Sequence, residues 1–255
     1  MAETNTAPPQ KSHWIPIGLS GAALKYIAAV TMLIDHTALV VVLYGFMYNG
    51  RMLLVRRYDI LPSLYNLMRQ IGRIAFPIFL FLLVQGFIHT HDRRKYAIRL
   101  FLFACLSELP FNLAVDRTLF SFIHQNVFWT LFAGFLMMWI LEKIQFSDLP
   151  RWAALLASLL TVAAACLAVT VCRTDYSYHG ILSLLLLYLF RYNKGLTLLT
   201  GAFSFAWEPA AIIAFLPIAL YNGEKGRAPK YFFYAFYPLH LLALVGINYV
   251  LFHHL

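Results

Sequence analysis

Charge is scarce in this sequence. Asp, Glu, Lys and Arg supply 12% of its 255 residues, against roughly 25% in soluble domains. That scarcity excludes an all-soluble domain, a disordered chain and a coiled coil. Cysteine is scarcer still: Cys105, Cys166 and Cys172 are the only three. Two of them lie in apolar runs and no CxxC pair occurs, so neither a disulfide framework nor a cysteine metal site is expected. There is no G-x-S-x-G, no Walker loop, no G-x-G-x-x-G and no internal repeat. His89, His91, His124, His253 and His254 lack carboxylate or cysteine company at i, i+4, and no metal is expected. Acidic residues number 11 against 20 Lys and Arg, a formal charge of +9. In an apolar chain that excess points to anionic lipid and not to nucleic acid.

What is present is hydrocarbon. Apolar residues make up 61% of the chain and the mean hydropathy is +0.70. Eight membrane helices of ~20 residues would use ~160 residues, close to the apolar content. The fold expected is all-α: a polytopic helical membrane protein with about eight or nine transmembrane helices, one of them short or broken. Residues 1–20 form a polar tail with Pro8 and Pro9, and lack a basic stretch followed by a cleavage site. The first apolar helix is therefore expected to be an uncleaved signal anchor, opening a single membrane domain over residues 21–255.

Apolar runs predict helices over Leu24–Phe46, from Gly72 to the basic stretch at His89–Lys95, over Tyr96–Ala114, Asn126–Leu141, Trp152–Val171 and Tyr231–Phe252. The 26 residues after the first helix, with Arg51, Arg56, Arg57 and Arg69, read as a polar connection. Tyr178–Phe190 is short for a span. Leu196–Leu220 is one helix, or two half-helices broken at Glu208-Pro209. Splitting that run puts Lys225, Arg227 and Lys230 on the side of the N-terminus. The positive-inside rule then favours a cytoplasmic N-terminus in a bacterial inner membrane.

An ionisable residue inside a span costs several kcal/mol unless paired or hydrated, which makes each one a functional candidate. Here these are Asp35, His36, Arg99, Glu108, Glu208 and His240, with Lys25, Arg73 and His179 near helix ends. The alternative is a set of ion pairs stapling helices, such as Asp35 or Glu108 to Arg99. Lys25 and His36 are eleven residues apart, hence ~20° apart around the axis and ~16 Å along it. Ala28, Ala29 and Met32 lie between them, so this face reads as a narrow groove with a cation at its mouth and an imidazole inside. Coenzyme A suits such a groove, its phosphates at Lys25 and its thioester at His36. Asp35 points ~100° away from His36 and cannot orient it within a regular helix. Either Asp35 pairs with a cation on another helix or the helix is distorted, and Glu108 is the other group able to reach His36. Gly72-Arg73 is an anion site or an interfacial arginine. Arg99 and Glu108 stand ~180° apart on their helix and do not pair with each other.

Several segments together resemble the TraX family of membrane proteins, whose founding member acetylates the N-terminus of F-pilin. They are Leu24-Lys25-Tyr26-Ile27-Ala28 with Met32-Leu33-Ile34-Asp35-His36, Ile71-Gly72-Arg73-Ile74-Ala75-Phe76-Pro77, Lys95-Tyr96 with Arg99-Leu100, and Ser107-Glu108-Leu109-Pro110-Phe111. Asp175-Tyr176, Gly180-Ile181-Leu182, Tyr221-Asn222-Gly223 and Phe236-Tyr237-Pro238-Leu239-His240 complete the pattern in order. Gln85 stands where the family often has Glu, and the Arg-rich connection looks like an insertion. The spacing of Lys25 and His36 is also similar to that of the broader transmembrane acyltransferases.

The resemblance implies an integral-membrane acetyltransferase that uses cytoplasmic acetyl-CoA and no metal. Its acceptor would be an amine or hydroxyl at or across the bilayer, on a pilin, a glycan or a small molecule. His36 would be the base, Asp35 and Glu108 would tune it, and Lys25, Arg73 and Arg99 would offset phosphate or oxyanion charge. A small-molecule transporter and a non-catalytic assembly factor for a surface appendage are the competing readings. The single candidate break, with no partner elsewhere, speaks against the transporter.

Overall fold

The structure, a computed structural model, describes residues 18–48, 60–229 and 232–252. Residues 1–17 of the polar tail, and Arg51, Arg56 and Arg57, lie outside the described residues. Helices account for nearly all regular structure, with two isolated bridges beside them. Helix α1 (Gly21–Thr37) continues as a π-helical stretch, Ala38–Met47. It is followed by α2 (Ile60–Gly72), α3 (Ala75–His89), α4 (Arg93–Val115), α5 (Val127–Gln145), α6 (Arg151–Val171) and α7 (Ser177–Leu189). Next come α8 (Lys194–Ser204), a 3₁₀ turn (Pro209–Ala214), α9 (Phe215–Ala219) and α10 (Phe232–Phe252). Ser20, Asp92, Asn126 and Asn193 each accept a hydrogen bond from a first-turn N–H of the helix they precede, which satisfies donors a helix start leaves free.

Among the described residues six stretches are long and apolar enough to cross a bilayer: α1 with its π-helical extension, α2 with α3, α4, α5, α6 and α10. Among the residues of α6 only Val169 is buried, and Leu155, Leu156, Leu159 and Leu160 face outward. An apolar face of that extent needs hydrocarbon as its solvent, and the protein is a helical membrane protein. Helix α3 sits at the centre, with Phe76, Ile78, Leu80, Phe81 and Phe87 in the core.

One sequence expectation needs correction. The second helical unit starts at Ile60, not near Gly72. Ser63, Asn66, Arg69 and Gln70 make this stretch polar enough to read as a connection, yet it is an amphipathic helix packed along α1 and its extension. Of the expected eight or nine helices, six are long enough to span among the described residues, and α7 and the Leu196–Leu220 segment are shorter. The break at Glu208-Pro209 is real: α8 ends at Ser204 and the chain turns into the 3₁₀ segment. Gly201 lies against both Phe215 and Leu187, so α9 folds back beside α8. Leu220 then reaches the start of α1, where Leu19 N donates to Leu220 O at 2.7 Å, Gly21 N to Glu224 O at 2.8 Å and Ala22 N to Lys225 O at 2.9 Å. The segment is a re-entrant hairpin that enters and leaves at one end of the bundle.

That end also carries Arg93, which pairs with Glu142 at 2.7 Å, together with Arg94, Lys95, Arg151, Arg191 and Lys194. At the opposite end the 116–126 and 172–176 loops join through Gln125 N to Arg173 O at 3.1 Å and Asp175 N to Gln125 O at 2.9 Å. The basic end is expected to face the cytoplasm. Single cysteines at Arg94 and Phe122, with Cys105, Cys166 and Cys172 replaced by serine, test this in intact cells. An impermeant maleimide should label position 122 and spare position 94; the reverse pattern would invert the topology.

Candidate functional site

Inside the bundle, the two turns of α1 around His36 meet polar residues from distant parts of the chain. His36 Nδ1 lies 2.7 Å from His240 Nε2, and His240 Nδ1 lies 2.7 Å from the carbonyl oxygen of Phe236 on its own helix. A carbonyl only accepts, so for neutral rings His240 Nδ1 carries the proton and His240 Nε2 is bare. His36 Nδ1–H therefore donates to His240, and the remaining nitrogen of His36, Nε2, is an unprotonated acceptor. The Phe236 ring stacks on His240 at 4.8 Å between centroids, and Tyr237 packs edge-on against both imidazoles. One residue beyond Thr37 the helix widens into its π-helical stretch, a geometry frequent at functional sites.

Asp35 turns away from His36, as the helical angle requires. Arg69 Nη1 of α2 lies 2.5 Å from Asp35 Oδ2, which resolves the choice between a partner on another helix and a distorted helix in favour of the partner. Gly72 makes this contact possible. A Cβ there would run into the Cβ and carboxyl of Asp35, so only glycine lets α2 lie this close to α1. Arg73, in the turn between α2 and α3, reaches Glu208 at the tip of the re-entrant hairpin (3.4 Å) and hydrogen-bonds Tyr176. The backbone N–H groups of Arg73 and Ile74 are taken by carbonyls of α2, so the anion site expected from a helix start at Gly72 is not formed by them.

His36, Asp35, Arg69, Arg73, Asp175 and Tyr176 line one cavity of about 340 Å³. Phe76, Phe79, Phe111 and Tyr237 form its apolar walls, and His124 and Arg173 stand at the end of the bundle opposite the start of α1. The 172–176 loop is held in an uncommon conformation: Arg173 (φ 54°), Tyr176 (φ 63°) and Ser177 (φ 42°) are left-handed without being glycine. Each costs on the order of 1 kcal/mol or more, and such residues persist where surrounding contacts enforce them. Here Tyr176 stacks on Phe76 with centroids 3.6 Å apart, and Thr130 Oγ1 lies 2.5 Å from the carbonyl oxygen of Asp175.

Other sequence candidates stand elsewhere. Glu108 accepts from Trp129 Nε1 at 2.9 Å and from Asn126 Nδ2, joining α4 to the start of α5, and it does not line the cavity. Arg99 lies over Tyr96 at 5.4 Å and hydrogen-bonds Tyr234, again away from the cavity. Lys25 is over the Phe233 ring at 5.6 Å and near Lys225, at the end of the bundle where the re-entrant hairpin returns. The groove expected between Lys25 and His36 is filled: Ala28 is 0% exposed and Ala29 4%. Small side chains on this face admit close helix packing and leave no channel. Arg69 and Asp175 went unassigned in the sequence. Arg69 precedes Gly72 by three residues, one helical turn, which is the signal that could have found it once α2 is read as a helix.

Replacing Gly72 by alanine should therefore cost about 1–3 kcal/mol through overpacking, although alanine is the better helix former. A thermal melt in detergent checks this; a melting temperature equal to or above that of the unchanged protein would contradict the close approach.

Residues 20–248 match the TraX protein family. A probable fimbrial assembly protein FimC, serogroup H1, from Dichelobacter nodosus is 28% identical over 258 residues, covering 89% of this chain and 95% of that protein. No solved structure matches the chain. The family match spans the site from Asp35 to His240, and the chain belongs to the TraX family.

Proposed function

We propose that this protein is an inner-membrane acetyltransferase with His36 as general base, drawing on acetyl-CoA as donor. One observation carries the reading: the Phe236 carbonyl, His240 and His36 form a chain that leaves His36 Nε2 bare, and His36 lines a cavity within the bundle. In the step proposed, an acceptor N–H or O–H gives its proton to His36 Nε2 as its lone pair attacks the thioester carbonyl. The C–S bond breaks, coenzyme A leaves as thiolate, and the proton passes from His36 to that sulfur. His240 acts as a positioning residue: it accepts from His36 Nδ1–H and stabilises the imidazolium while the proton is held. Arg69 and Arg73 lie where they can offset developing oxyanion charge.

The FimC relative bears a fimbrial assembly name, and the founding member of the family modifies pilin. We therefore infer a pilus-associated role with a pilus or fimbrial subunit as acceptor. The same name also supports an assembly factor without catalysis. The two separate on mass: a co-expressed candidate subunit gains one acetyl group only if the first holds. His36→Ala should abolish that gain while the protein still expresses and melts near the unchanged value. His240→Ala should lower turnover by ten- to a hundredfold, about 1.4–2.8 kcal/mol, with the Michaelis constant for donor little changed. Full activity in His36→Ala would remove the imidazole from the mechanism.

Lys25 and Lys225 stand together without a carboxylate in salt-bridge range among the described residues. We assign them the phosphates of the donor. Lys25→Ala should raise the Michaelis constant for acetyl-CoA about tenfold or more and change saturated turnover less, since a charge-assisted hydrogen bond contributes about 1.5–3 kcal/mol. An unchanged constant with collapsed turnover would place Lys25 in the fold or the reacting centre.

A further inference from the structure

The cavity holds two carboxylates in different situations. Asp35 is committed to Arg69 at 2.5 Å. Asp175 lines the same cavity, yet no Lys or Arg forms a salt bridge with it among the described residues. Its Oδ1 accepts the N–H of Tyr176 at 3.1 Å, and the side chain is exposed to the cavity while protein surrounds it. Its backbone is fixed on both sides, by Gln125 O at its N–H and by the Thr130 hydroxyl at its carbonyl. A carboxylate so rigidly held, open to a cavity and without a salt bridge is built to receive a hydrogen-bond donor from a ligand.

We propose that Asp175 is the acceptor-binding residue of this site, accepting a hydrogen bond from an N–H or O–H of the acceptor other than the proton that His36 removes from the nucleophile. This rests on the transfer reading above and adds to it the group that seats the acceptor. The cavity runs from His36 to His124 and Arg173 at the end opposite Lys25 and Lys225, so the acceptor enters from the side away from the donor's phosphates. Two proton-accepting groups, Asp175 and His36, then face one cavity from different elements. The first orients the nucleophile and the second takes its proton.

Charge supports the assignment. Burial raises the Asp175 carboxyl to about 6, opposed by Arg73 and Arg69 and reinforced by Asp35. His36, His124, Arg173, Tyr176 and Tyr237 are the other titratable or charged groups that line the cavity. The carboxylate needed to hold the acceptor is thus present at neutral pH and is lost as pH falls through 6.

The test uses the full chain in nanodiscs with two small probes, glycinamide for an amine and glycerol for a hydroxyl. Saturation-transfer NMR titration measures binding, and release of coenzyme A from acetyl-CoA is followed in the same preparations. The unchanged protein should bind at least one probe, and that probe identifies the nucleophile. Asp175→Asn should weaken its binding at least tenfold, and Asp175→Glu should recover most of the loss. Binding to the unchanged protein should weaken between pH 7 and 5, whereas the Asp175→Asn variant should lose this dependence. Binding that is absent, or equal in the unchanged protein and Asp175→Asn, overturns the proposal. Asp175-dependent binding without any acetyl transfer sustains the acceptor site and removes the transferase reading. Transfer with an unaltered Michaelis constant for the probe in Asp175→Asn does the opposite.

Discussion

The contact of Asp35 with Arg69 across Gly72 is the constraint on which the polar interior depends. A carboxylate and a guanidinium inside an apolar bundle are costly apart and acceptable only together. Their pairing requires α2 to lie against α1 at a distance that no side chain larger than hydrogen permits at residue 72. Once α2 is placed there, the turn that follows presents Arg73 to Glu208 and Tyr176. Tyr176 in turn stacks on Phe76 at the start of α3. The cavity is bounded by this chain of contacts, and His36 faces it from the residue next to Asp35.

The re-entrant hairpin serves the same requirement from the other direction. Its helices are too short to span, and a broken helix within a bilayer survives only where protein covers its free backbone groups. Phe205, at the end of α8, is fully buried, and Trp207 packs edge-on to Tyr176 and tilted against His179. Glu208 at the tip supplies the partner that Arg73 lacks on its own helices. Sequence distance is large, but the pairing is local in space because both segments end at the same depth.

Much of this was legible before any coordinates. Apolar runs located α1 and α3 to α6 within a few residues, since length and hydropathy alone define a membrane helix. The ionisable-residue argument selected Asp35, His36, Glu208 and His240. The angular argument also required Asp35 to find a cation away from His36. What stayed hidden has physical causes. Helix α2 mixes Ser, Asn, Arg and Gln with its apolar stripe and looked like a connection, which hid Arg69. The groove between Lys25 and His36 was inferred from small residues, and small residues serve close packing as readily as they line a channel. Glu108 and Arg99 lie on the expected helix, but their partners Asn126, Trp129 and Tyr234 turn them away from the cavity, and pairings between helices are not encoded in the periodicity of either one.

The account stands on the direction of two hydrogen bonds, from His36 to His240 and from His240 to the Phe236 carbonyl. Solid-state nitrogen NMR of the protein labelled with nitrogen-15 at histidine, with His36→Gln and His240→Gln samples for assignment, reads that direction. At pH 7.5 His36 should show a protonated Nδ1 and a bare Nε2, and His240 the same arrangement, each proton correlating across its own hydrogen bond. A protonated Nε2 on His36, or a charged ring at either position, would contradict this arrangement: Nε2 would then have no lone pair with which to accept the acceptor's proton.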